Sequence, residues 1–79
     1  MIPYVIRYLH CLPGDEIMIR LRGGGTTRAI VTGWGRDGLT LRARIQGKIG
    51  GSFSDAPTPI PAEAFLRVVN PVPRDNDGD

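Results

Sequence analysis

The side chains able to do chemistry in this 79-residue sequence form one sparse group and one dense group. The sparse group begins with His10 and Cys11, the only histidine and the only cysteine, and continues with the carboxyl pair Asp15 and Glu16. Neighbours on a helix diverge by about 100°, so His10 is poorly placed to activate the Cys11 thiol. Adjacent residues on a strand face opposite sides, which separates Asp15 from Glu16. A lone cysteine forms no intrachain disulfide, and two potential ligands fall short of the roughly four that a structural zinc needs. The glycine run 23–25 is followed by no Gly-Lys-Ser/Thr, so the phosphate-loop motif is absent. These residues read as packing and turn positions. The chain reads as a non-enzymatic protein without metal or cofactor.

The dense group is cationic. Residues 19–44 carry Arg20, Arg22, Arg28, Arg36, Arg42 and Arg44, and Lys48 follows. The formal charge is only +2, but the tail "RDNDGD" holds three aspartates against one arginine, so residues 1–73 carry +4. Guanidinium groups pair bidentately with phosphate. Arg20, Arg22, Arg28, Arg42, Arg44 and Lys48 on one face would therefore bind a polyanion, with strong salt dependence. The same residues also serve as a solvated face that keeps a thin β-structure soluble. Stacking groups for bases are few: Tyr4, Tyr8, Trp34, Phe53 and Phe65. Trp34, beside Arg36 and Asp37 of the adjoining turn, is either a contact for a partner or an apolar plug for the end of the fold.

Those residues are positioned by elements whose period changes along the chain. Ile2, Val5, Ile6, Leu9 and Leu12 recur at helical spacing, which predicts a short N-terminal helix over 2–12, stopped by Pro13 and Gly14. From Asp15 the period becomes two. Ile17, Ile19 and Leu21 alternate with Glu16, Met18, Arg20 and Arg22. "TTRAIVTGW" (26–34) is rich in β-branched residues, with Gly33 marking a bulge. "GRDG" is a hairpin turn. "LTLRARI" (39–45) places Leu39, Leu41, Ala43 and Ile45 inward and Arg42 and Arg44 outward. "QGKIGGSF" reads as a turn and a short fourth strand. Three prolines make "SDAPTPIPAEA" a loop with one tight helical turn near 61–64, unfit for a central strand. "FLRVV" (65–69) closes the set. One domain spans 1–70, and 71–79 reads as a disordered acidic tail. The N-terminus lacks a signal-peptide pattern and is too short to span a membrane. With its single cysteine, the chain fits a cytoplasmic compartment.

The expected class is mainly β: a small five-stranded antiparallel barrel of the SH3-like or Sm-like kind. In "GDEIMIRLRGGG", "TTRAIVTGWGRDGLTLR" and "IPAEAFLRVV" the chain resembles the Sm-like family, including its bacterial Hfq-type members, over about residues 3–69. The resemblance implies a ring of identical subunits joined by strand pairing, with RNA held in the ring. Where that family carries an Asp-x-aromatic-x-Asn loop, this chain has "GRDGLTL", matching only Asp37. Lys48 is the one cation in "QGKIGG", opposite the family's later basic glycine loop. The resulting expectation is an oligomeric module that binds nucleic acid, RNA in particular. The alternative is a protein-interaction or assembly module, an accessory subunit or phage-type protein, that uses Trp34, the tyrosines and the loop 56–61.

Overall fold

The structure is a computed structural model and describes residues 7–47 and 51–73. Five strands form one antiparallel sheet: β1 (Glu16–Arg20), β2 (Thr26–Trp34), β3 (Leu41–Ile45), β4 (Thr58–Ile60) and β5 (Phe65–Asn70). Their order is β4-β3-β2-β1-β5, so each of the first three hairpin partners lies beside its neighbour in sequence and β5 returns to β1. The alternation read from the sequence holds in β1 to β3. Ile17, Ile19, Ala29, Val31, Leu41 and Ala43 are buried and join Cys11 and Ile60 in the core, with Ile45, Trp34, Phe65 and Val68 packed against them. Fully burying an aliphatic side chain of this size contributes roughly 1.5–3 kcal/mol.

The sheet is not closed, contrary to the expected barrel. β4 and β5 stay as its two edges, and each has a covalent or geometric reason to resist further pairing. β4 is three residues long, and Pro59 within it has no N–H to give. β5 meets β1 with two register shifts, one between Glu16 and Ile17 and one between Met18 and Ile19, which leave Leu66 and Val69 as extra residues. Bulges of this kind twist an edge away from partners.

Four further expectations are corrected. The predicted helix over 2–12 reduces, among the described residues, to one 3-10 turn at Tyr8–His10 flanked by extended backbone at Arg7 and Cys11. Its remaining part, residues 2–6, lies outside the described residues. Leu39, expected inward, is 65% exposed. β3 begins at Leu41 because the Asp37 carboxylate takes the N–H groups of Leu39 and Thr40, at 2.9 and 3.0 Å, and folds them into the turn. Leu21 lies beyond the end of β1 and is exposed, since its N–H and C=O bond Gly25 and Gly24 within the turn. Finally, the described residues of 46–53 hold no strand but a single bridge from Gln46 to Phe53, while residues 48–50 lie outside the described residues. The fourth strand is Thr58–Ile60, inside the proline-rich segment, paired with β3 at Leu41, Arg42 and Ala43. A strand with proline is tolerated there because it is an edge. The expected helical turn does form, at Ala62–Ala64.

Gly33 occupies the bulge read from the sequence: the β2–β3 register shifts between Val31 and Gly33, and its φ is +156°. Gly14 is required at the entry to β1. Its φ is +97°, a conformation residues with side chains rarely adopt, and a Cβ there would also crowd Val72 Cγ1 of the segment after β5 at 2.8 Å.

Two polar side chains hold the ends of the sheet. The Tyr8 hydroxyl donates to the Ile60 carbonyl and accepts from the Leu41 N–H at 2.9 Å. Leu41 and Ile60 face each other across β3 and β4, so the hydroxyl is inserted into that seam. Asp15 is fully buried; its Oδ2 accepts from Leu12 N–H at 2.8 Å and its Oδ1 from Val72 N–H at 2.9 Å. It thereby ties the loop before β1 to the chain after β5.

Candidate functional site

The outward residues of the sheet follow from the register. On β1 these are Glu16, Met18 and Arg20; Arg28 stands across from Met18, Arg44 across from Ile30, and Arg42 across from Gly33. Arg67 of β5 stands across from Met18 on the other side. Arginines from four adjacent strands therefore share one face. Arg67 was not among the expected ligands: strict alternation in "FLRVVN" puts it on the same side as Phe65, and only the extra residue Leu66 turns it outward. Arg22 lies in the turn beyond β1 and Arg36 in the turn between β2 and β3, both exposed. Lys48 lies outside the described residues, as does Tyr4.

These cations are not equivalent. Arg28 Nη1 lies 3.1 Å from Glu16 Oε2, whose other oxygen accepts from Asn70 Nδ2 at 2.8 Å. An exposed pair of this kind is worth roughly 0.2–1 kcal/mol, little enough for a phosphate to replace. Arg44 donates from Nε to the Ser54 carbonyl at 2.6 Å, and Arg42 from Nη2 to the Pro57 carbonyl at 3.4 Å. Both guanidiniums brace the loop leading to β4. Each keeps further N–H groups for a ligand, and a side chain already held in place loses less freedom when it binds. Among the described residues, Arg20, Arg22, Arg36 and Arg67 have no acidic partner.

The aromatic residues are drawn into the fold. Tyr8 meets Trp34 edge-on at 5.8 Å and 90°, and Phe65 at 5.8 Å and 71°. Trp34 thus packs as part of a three-ring cluster over the end of the core. Asp37 has both oxygens engaged in its own turn, including Thr40 Oγ1 at 2.7 Å. The N–H groups of Leu39 and Thr40 and the Thr40 hydroxyl stabilise its charged form and lower its pKa below the ordinary carboxylate value. A depressed pKa adds stability that is complete above the ordinary aspartate range near pH 4 and is lost as pH falls through the lower folded value. The stability difference between wild type and Asp37→Asn is therefore expected to be constant from neutral pH to about pH 5. It then shrinks in stronger acid, as thermal melts at stepped pH would read.

Cys11 is buried in the core while His10 is exposed, so the adjacent pair points apart. Among the described residues no group of three or more His, Cys, Asp or Glu side chains is arranged to hold a metal. None of their helices is long and apolar enough to cross a membrane.

A groove of about 500 Å³ opens beside the basic face. Its one wall is the end of β1 and the turn after it, from Ile19 to Arg22; its other wall is β4 and the residues after it, through Ala64. The sequence carries no signal for it, because one of its walls lies in the proline-rich segment, whose prolines mask its strand. No protein-family model, curated protein or solved structure matches this chain.

Proposed function

We propose that this chain is a non-enzymatic small β-module of the SH3-like or Sm-like kind that binds nucleic acid, RNA in particular, through the outer face of its sheet. The observation that carries this reading is the convergence of Arg20, Arg28, Arg42, Arg44 and Arg67 from four neighbouring strands. Arg42 and Arg44 are the strongest candidates for phosphate contacts, since their positions are already braced by the Ser54 and Pro57 carbonyls. With Trp34, Tyr8 and Phe65 committed to packing, the binding is electrostatic and backbone-directed, with little reading of bases.

Filter binding of a single-stranded RNA in rising salt tests this. Each phosphate neutralised adds about −0.7 to the slope of log K against log salt. The double variant Arg42→Ala/Arg44→Ala is expected to flatten the slope by roughly 1.4, two phosphates' worth. Retention that does not change with salt, or an unchanged slope in the double variant, removes the reading. The ring of subunits implied by the Sm-like resemblance requires pairing at β4 or β5, the two blunted edges. A native mass measurement decides it: a ring-sized assembly supports the Sm-like kind, and a monomer supports the SH3-like kind.

A further inference from the structure

The groove beside the sheet face has a different chemistry from the face itself. Ile19 and Leu21 on one wall oppose Pro59, Ile60 and Pro61 on the other. Its volume of about 500 Å³ falls within the range typical of ligand sites. Leu21 is 40% exposed there, a large aliphatic group that folding leaves uncovered. Pro59 and Pro61 have no N–H, so an occupant cannot simply extend the sheet along β4 and must be held through side chains.

Charge narrows the occupant further. Arg20 and Arg22 stand on the β1 wall without an acidic partner among the described residues, whereas Glu63 stands on the opposite wall. A nucleic-acid strand carries a negative charge at every step and would bring phosphates against Glu63. A polypeptide can place its carboxylates at one wall and apolar side chains along the floor. We propose that this groove docks an acidic, leucine-bearing peptide segment of another protein, with leucines between Leu21 and the exposed Pro59 and Pro61 and carboxylates on Arg20 and Arg22. This site shares Arg20 with the arginine face but excludes Arg42 and Arg44, so its fate does not follow theirs.

The test is fluorescence anisotropy with the full chain and a short labelled peptide of leucines flanked by glutamates, beside a matched peptide with lysines in place of the glutamates. The acidic peptide is expected to bind at least about tenfold more tightly than the basic one. Leu21→Ser and Arg22→Ala, each checked for an unchanged far-UV spectrum, are expected to weaken it by about tenfold, the loss of one well-buried or charge-paired anchor. Arg42→Ala/Arg44→Ala leaves peptide binding unchanged even if it abolishes RNA retention. Equal binding of the two peptides overturns the proposal, as does full affinity in both Leu21→Ser and Arg22→Ala, or no binding at about 1 mM peptide. Loss of RNA retention in Leu21→Ser also overturns it, because the groove would then be part of the nucleic-acid site.

Discussion

Asp15→Ala is expected to lower the free energy of unfolding by about 3–5 kcal/mol, read as a drop in the urea midpoint followed through Trp34 fluorescence. Asp15 is fully buried, and its two carboxyl oxygens accept from Leu12 N–H and Val72 N–H. Hydrogen bonds to a group of this type are worth about 1.5–3 kcal/mol each, and a buried donor left without a partner adds its own desolvation cost. A domain of this length has a total stability of roughly 4–12 kcal/mol at 0.05–0.15 kcal/mol per residue, so the loss is a large share of it. Asp15→Asn preserves volume and one acceptor, and should recover part of the loss. A midpoint in Asp15→Ala within about 0.5 kcal/mol of wild type would show that the carboxyl group does not join the two segments.

The second large effect is a contrast between two leucines two positions apart. Leu41→Ala is expected to cost about 2–5 kcal/mol, because the side chain is fully buried and its removal leaves a cavity in a core too small to refill it. Leu39→Ala is expected to stay within about 0.5 kcal/mol of wild type, its side chain being mostly in solvent. Urea denaturation of the two variants side by side checks both values. Equal costs would mean that β3 begins at residue 39, with the register of the turn wrong and the Asp37 bonds absent.

The same pair shows what the sequence makes legible and what it hides. Period-two alternation identified β1 through Ile17 and Ile19 but ran past its end into Leu21, and β-branched residues identified β2. Gly33 itself marked the bulge, while the two bulges that break the alternation of β5 had no such marker. The pattern continued smoothly through Leu39, however, and alternation cannot see a side chain that competes for backbone. Asp37 does so, capturing the N–H groups of Leu39 and Thr40 and ending the ladder two residues early. Prolines hid β4 in the same way: they forbid a central strand but permit an edge one, and the sequence does not say which strand will be last. The arginine face followed from strand assignment alone. The groove did not, since it needs two walls that are about forty residues apart in sequence, one of which had no strand assigned to it.

The Tyr8 hydroxyl makes the ordering of the molecule depend on both ends of its sequence. The groups it joins lie 33 and 52 positions away, at Leu41 and Ile60. The Tyr8 contact with Ile60 closes over 52 residues, so this seam of the sheet forms only when segments far apart in sequence meet. Contacts with such long separations are slow to form. The three central strands can pair from neighbouring residues, whereas the seam between β3 and β4, and with it one wall of the groove, needs Tyr8, Leu41 and Ile60 brought together from far apart in sequence.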